Sequence, residues 1–138
     1  MGVVVFDSDV LIGFLNASDA HHQDARDWMQ AALAPGTRRV ISAVNYSEIL
    51  IGPARAGEAE RDRVDSMLGR LGIEIITVDM ELARTAAGVR ARTGLDLPDA
   101  YALATCIHAE RRGWSDVQLA TFDRRVLKAH AELHPGRP

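Results

Sequence analysis

The chain predicts an α/β domain of three layers, α/β/α, with helices on both faces of a central, mostly parallel sheet. Short, continuously apolar and β-branched runs recur along it, the pattern of strands buried on both faces. Between them lie segments whose apolar residues return at helical spacing, and strands alternating with helices imply parallel pairing through right-handed crossovers. Caps, glycines or prolines punctuate the boundaries. The 138 residues, 47% hydrophobic and 25% charged, suit a single domain over 1–138 with one compact core.

Val3-Val4-Val5-Phe6 is the first strand and, being wholly apolar, is expected to be central. A short helix follows through Val10, Leu11, Ile12, Phe14 and Leu15, with Asp9 as its expected N-cap. Ser18 or Asp19 is expected to cap a longer helix carrying Ala25, Trp28, Met29, Ala32 and Leu33, which Pro35-Gly36 stops. Val40-Ile41 makes a second strand, and Ser42 caps a helix through Val44, Ser47, Glu48 and Ile51 that Gly52-Pro53 is expected to end. Glu58 to Leu71 is helical through Val64, Met67 and Leu68. Ile73, Ile75, Ile76 and Val78 form a third strand, and Asp79 caps a helix that finishes at Gly94. Pro98 opens the next helix, closed by Gly113, and Val117 to Ala120 is the last strand before a final helix. The segment 130–138, with two prolines and little apolar content, is expected to be loosely ordered.

Against this layout, Asp7, Glu48, Asp99 and Asp123 fall where a strand gives way to a turn or where a helix begins. Ligand sites of parallel sheets gather at the carboxyl ends of strands, near the point where strand order reverses. Asp7 and Asp123 follow the first and last strands. Glu48 lies one turn beyond Asn45 on a shared helix face, and Asp99, just after Pro98, sits where the helix dipole favours a bare carboxylate. An acid directly after a fully apolar strand is costly to desolvate unless it is paired or holds a metal. A ring of carboxylates repels itself unless a cation sits within it, and hard divalent cations take oxygen ligands while keeping several waters, an arrangement suited to phosphate chemistry. Asp9 and Asp96 are spare acids beside the four. Thr121, two residues before Asp123, either positions an attacking water or finishes the ladder. His21, His22 and His108 read as surface or half-buried side chains, and Trp28 and Met29 as core packing.

Composition narrows the field. A net charge of -3 argues against binding nucleic acid by bulk positive potential, so a polyanionic substrate needs the metal and local arginines to offset repulsion. Lys128 is the only lysine. The single Cys106 excludes an internal disulfide, no Cys/His spacing points to zinc, and a reducing cytoplasm fits. The run Val3 to Phe6 is far too short for a signal peptide or a membrane span, so no membrane is expected among the partners.

The motifs in order are an apolar strand ending in Asp7, then Ile41-Ser42-Ala43-Val44-Asn45-Tyr46-Ser47-Glu48, then Leu97-Pro98-Asp99-Ala100-Tyr101-Ala102-Leu103-Ala104, then Leu119-Ala120-Thr121-Phe122-Asp123. Over essentially its full length the chain resembles a PIN-domain ribonuclease and, in size and layout, a VapC-type toxin of bacterial toxin–antitoxin pairs. The resemblance implies that Asp7, Glu48, Asp99 and Asp123 hold Mg²⁺ or Mn²⁺ and that Thr121 matches the hydroxyl residue before the last acid. It further implies an endoribonuclease acting on single-stranded or structured RNA, a homodimer, and a small VapB-like antitoxin whose C-terminal segment blocks the site. Two departures stand out: Asp9 takes a place where many relatives carry Ser or Thr, and Arg124-Arg125 follow Asp123 where relatives often place an aromatic nearby.

Two other readings compete. Asp7-Ser8-Asp9-Val10 also resembles the opening motif of haloacid-dehalogenase-like phosphatases, whose first Asp is a nucleophile, and Val40-Ile41-Ser42 imitates their second motif. That family needs a lysine ahead of a paired-acid motif, whereas Lys128 falls after Asp123. A domain that mainly binds a partner and cleaves little is consistent with the modest net charge, but an intact acid quartet argues against it.

Overall fold

The computed structural model describes residues 2–133. Its elements run β1 (Val3–Phe6), α1 (Ser8–Leu15), α2 (His22–Ala32), β2 (Arg38–Ser42), α3 (Ala43–Ala56), α4 (Glu58–Arg70), β3 (Ile73–Ile76), α5 (Met80–Thr93), α6 (Leu97–Arg111), β4 (Val117–Ala120) and α7 (Arg124–Leu133). The four strands form one sheet in the order β3-β2-β1-β4. Every pairing is parallel, with Val4 opposite Arg39 on one side and Gln118 on the other. The chain steps outward from β1 to β2 to β3 and then returns to the far flank of β1 as β4. Strand order therefore reverses beside β1, which places a crevice at its carboxyl end.

The continuous apolar run of β1 is explained by its two covered faces. Val3 and Val5 join Val89, Leu103, Cys106 and Val126 from α5, α6 and α7. Val4 and Phe6 join Leu11, Met29, Ile49 and Leu68 from α1 to α4. Side chains alternate across a strand, so four consecutive apolar residues serve two cores at once. The result is the expected three-layer α/β/α arrangement.

Four boundaries differ from the sequence expectation, each for a local reason. Asp7, not Asp9, is the N-cap of α1, because the chain turns into the helix directly after β1. The start of α2 falls at His22: the Asp19 carboxylate accepts the His21 N–H at 2.8 Å, closing a turn ahead of the helix rather than capping it. Pro53 lies inside α3, which runs on until Gly57 adopts φ 125°, a conformation that disfavours side chains. β3 stops at Ile76, short of Val78. Of the segment expected to be loose, 130–133 belong to α7 and 134–138 lie outside the described residues. Among the described residues no helix is long and apolar enough to cross a membrane.

Candidate active site

The crevice is built first from the ends of β1 and β4. Asp7 N–H donates to the Ala120 carbonyl at 2.9 Å, so the two strands stay in step one residue past the sheet. The Asp7 side chain, 3% exposed, then spends both oxygens. Oδ1 accepts the Ser8 N–H at 2.8 Å and Oδ2 accepts the Thr121 hydroxyl at 2.8 Å. Thr121 Oγ1 in turn accepts the Asp123 N–H at 3.1 Å. Thr121 thus bridges the first and last acids. Asp9, in the first turn of α1, reaches across to accept the Phe122 N–H at 2.9 Å through Oδ2. It therefore belongs to the site, a placement that its expected role as a helix cap concealed.

The other half comes from α3 and α6. Ser42, at the end of β2, caps α3 by accepting the Asn45 N–H at 3.0 Å, and its hydroxyl donates to Asn45 Oδ1 at 2.7 Å. Asn45 is fully buried, and its amide nitrogen donates both to Glu48 Oε1 at 3.2 Å and to the Pro98 carbonyl at 3.0 Å. One amide thus ties the half-buried Glu48 to the first turn of α6, where Asp99 stands beside Pro98. Asn45 is the positioning residue that sequence reasoning missed; its shared face with Glu48 was the available signal. Across the crevice Arg125 pairs with Asp123 at 3.3 Å and with Asp99 at 3.7 Å.

The carboxylates act on one another. Burial pushes Asp7 up to about 7, with the charges of Asp9 and Asp99 adding to the shift and the Thr121 and Ser8 hydrogen bonds opposing it. Burial likewise raises Asp9, against the hydrogen bonds from the Phe122 and Val10 backbone. Asp99 is raised by burial and by the Asp123 and Glu48 charges, with Arg125 opposing. Burial also lifts Asp123, but the hydrogen bonds and charge of Arg125 outweigh it and hold that carboxyl below its usual range. All four sequence-predicted acids, and Asp9 with them, therefore share one electrostatic site. Asp96 stands at its edge: this exposed residue sits before α6 with no side-chain capping bond and pairs at 3.9 Å with Arg90, yet its charge still adds to the rise of Asp99. His22 turns to the Gly13 carbonyl and His108 meets Trp114 edge-on. His21, exposed, stacks at 4.7 Å between ring centres on Phe122, the residue whose backbone N–H is bonded to Asp9.

This donor set fits a hard divalent cation on two counts. Asp9 Oδ1 is buried with no hydrogen-bond partner, an arrangement costly for a carboxylate unless positive charge approaches it. Asp7 is held partly neutral by the same burial and repulsion, which a cation would relieve. The side chains do not form a closed cage: among the described residues, no group of three or more His, Cys, Asp or Glu is arranged to hold a metal. A cation that keeps most of its waters and takes few protein ligands, as Mg²⁺ does, suits such an open set.

A pH dependence follows. Because the folded-state pKa of Asp7 lies above that of an unfolded carboxyl, the native protein binds the extra proton, and stability falls as pH rises from about 4 towards about 7. In EDTA the melting temperature is expected to be higher at pH 5 than at pH 8. Mn²⁺ is expected to raise it chiefly at pH 8, where the carboxylates are ionised. Calorimetric scans at the two pH values check this; a Tm that climbs from pH 5 to pH 8 in EDTA contradicts the burial argument.

Residues 4–133 match the family model described as the PIN domain. No curated protein sequence matches the chain. Solved structures with the same fold include a toxin–antitoxin complex from Klebsiella pneumoniae, at 23% identity over 98% of this chain and 92% of that one, with a TM-score of 0.65. A second is Mycobacterium tuberculosis VapC20, described as a sarcin–ricin loop cleaving toxin, at 18% identity over 91% of this chain and 94% of that one, with a TM-score of 0.69. A third is VapBC-1 from nontypeable Haemophilus influenzae, at 14% identity over 94% and 93% of the two chains, with a TM-score of 0.62. At these identities the likeness speaks for the fold. The family match is independent of them, and since it reaches from β1 into α7 and takes in Asp7, Glu48, Asp99 and Asp123, the chain belongs to the PIN domain family.

Proposed function

We propose that the protein is a metal-dependent endoribonuclease that hydrolyses RNA phosphodiesters as the toxin of a toxin–antitoxin pair. The observation that carries this reading is the convergence of Asp7, Asp9, Glu48, Asp99 and Asp123, from four separate stretches of a PIN domain, on one crevice where burial and mutual repulsion leave negative charge unbalanced. Asp7, Glu48, Asp99 and Asp123 would hold Mg²⁺ or Mn²⁺, and the unpartnered Asp9 Oδ1 would add a further oxygen. A divalent cation there supplies the charge that draws a phosphate to an acidic surface and activates water for its hydrolysis.

The chain's own residues do the rest. Thr121 fixes the rotamer of Asp7, and Asn45 fixes Glu48 relative to Asp99. The exposed Arg124 and Arg125 offer guanidinium forks to phosphate oxygens, which local arginines must do in a chain of net charge -3. The His21–Phe122 stack gives an unpaired base a flat surface next to the acids.

A small antitoxin and a homodimer belong to the same proposal. The similar solved structures include toxin–antitoxin complexes, and an apolar groove of about 390 Å³ between α1, α3 and α4 opens beside Glu48. Lined by Ile12, Leu15, Ile49, Val64 and Met67, it suits the apolar face of a short peptide that ends over the acids. Met80, Leu97 and Val78, at 75%, 50% and 38% exposure, give a second copy apolar surface to cover.

Incubation of the purified protein with total RNA is the direct test. Cleavage is expected with Mg²⁺ or Mn²⁺, to stop in EDTA, and to return when the cation is restored. Cutting that continues unchanged in EDTA refutes metal dependence, and hydrolysis of phosphomonoesters without RNA cleavage refutes the nuclease.

A further inference from the structure

Two of the four acids proposed to hold a cation already have a positive partner. Nη2 of Arg125 stands 3.3 Å from Asp123 Oδ2 and 3.7 Å from Asp99 Oδ2. The Arg125 backbone N–H donates to Asp123 Oδ1 at 2.8 Å. One residue thus faces both oxygens of Asp123, and one nitrogen links the first turns of α6 and α7. Asp7 and Asp9 have only neutral donors, a hydroxyl and backbone N–H groups. The Arg125 side chain is 69% exposed, so it can swing away without unpacking the core, and exposed ion pairs of this kind are weak enough to exchange. Asp99 and Asp123 are therefore the two acids of the site that a guanidinium already partly neutralises.

We propose that Arg125 is a built-in counter-ion of the site: without a divalent cation it occupies the Asp99 and Asp123 side, and when a cation takes those carboxylates the released guanidinium turns to a phosphate of the RNA. The inference rests on the metal-dependent nuclease reading. The guanidinium stands against Asp99 Oδ2 and Asp123 Oδ2, so a cation held by these two carboxylates would compete with it for their charge; each would weaken the other, and the coupling is reciprocal. Once displaced, the planar fork is matched to phosphate oxygens in a way that the acids around it are not. Cation binding then does two things at once: it installs positive charge between the acids and frees a second positive group at their rim.

The test measures binding, not turnover. Mn²⁺ affinity without RNA, followed by loss of the free-ion paramagnetic resonance signal, is compared for the wild type, Arg125→Ala and Arg124→Ala. Arg125→Ala is expected to bind Mn²⁺ about three- to tenfold tighter, the scale that two exposed ion pairs set, whereas Arg124→Ala, with the same change in net charge, stays within about twofold of wild type. Binding of a short single-stranded RNA is then measured in EDTA and in Ca²⁺, with gels confirming that the strand stays intact. Arg125→Ala is expected to weaken RNA binding about fivefold in Ca²⁺ and hardly at all in EDTA, the scale of one charge-assisted contact. Equal Mn²⁺ affinity in wild type and Arg125→Ala overturns the counter-ion role and leaves the nuclease reading standing. An RNA defect of the same size in both conditions, or none in Ca²⁺, overturns the hand-over to phosphate. If neither wild type nor Arg125→Ala takes up Mn²⁺, the metal-dependent reading falls and the proposal with it.

Discussion

Asp7→Asn is expected to reduce metal-dependent RNA cleavage by about 10³-fold or more, roughly 4 kcal/mol of transition-state stabilisation, while making the metal-free protein more resistant to heat at pH 8. The two effects have one source. Asp7 is 3% exposed at the end of a fully buried strand, and it carries its charge against the charges of Asp9 and Asp99. Such a carboxylate is destabilising to the fold and is kept for what it binds. Asparagine has nearly the same shape. With its oxygen towards Ser8 N–H, its amide donates to Thr121 Oγ1, whose proton is then free to turn to Asp9 Oδ2, 3.5 Å away. Both bonds that Asp7 makes, to Ser8 N–H and to Thr121, thus have a replacement, so the fold survives while a cation loses a charged ligand.

The size of the gain in stability follows from the same shift. A carboxyl raised from its unfolded value to about 7 costs the native state about 4 kcal/mol once fully ionised, and Asn removes that cost. A gain of even half that amount is expected to raise Tm by about 5 °C or more at pH 8. At pH 5 the native Asp7 is mostly protonated while an unfolded carboxyl is mostly ionised, so the difference between variant and wild type should shrink to about a third and vanish only below about pH 4. Scanning calorimetry of both proteins in EDTA at the two pH values measures this directly. A variant that is inactive and also less stable at pH 8 would show that Asp7 is a structural cap, with no part in charge repulsion.

The framework of this site is legible in the sequence because its signals are local. Val3 to Phe6 can only be a strand with two apolar faces, and an acid placed immediately after it has to answer for its own desolvation. Ser42, Asp79 and Gly94 mark their helix ends by chemistry that acts within three or four residues, and all three do so in the structure. Pro53 misled because a proline marks a helix break only as a tendency; α3 carries it and ends where Gly57 takes a positive φ. Asp9 misled because a cap and a site residue look alike one position before an apolar helical run. What separates them is the Phe122 N–H, 113 residues away in sequence. Arg125 stood out in the sequence only as a departure after Asp123; its pairing with Asp99 depends on how α7 leaves β4 relative to α6, which no local pattern encodes.

Asn45 shows the same limit most sharply, and its replacement is expected to have the second large effect. Its amide links the end of β2, Glu48 and the backbone of α6, reaching Pro98 across 53 residues of sequence. Asn45→Ala leaves the Ser42 hydroxyl and the Pro98 carbonyl without these bonds and opens a void at a fully buried position. At about 1 to 3 kcal/mol for each buried group deprived of its partner, a loss of about 3 kcal/mol is expected, or roughly 10 °C in Tm. Asn45→Asp is expected to be worse despite its matching shape. A carboxylate cannot donate to Pro98, and it would add a buried charge next to Glu48 in a crevice already short of positive charge. Both variants should also weaken Mn²⁺ binding and cut cleavage by about 100-fold at temperatures where they remain folded, because Glu48 and Asp99 no longer hold fixed positions across the crevice. That second readout separates two roles for the residue. If Asn45→Ala melts early yet keeps wild-type Mn²⁺ affinity and cleavage rate below its Tm, the amide merely fastens α3 to α6. If affinity and rate fall together, the buried amide sets the spacing of the acids, and the metal site extends inward to a neutral side chain that never touches the ion.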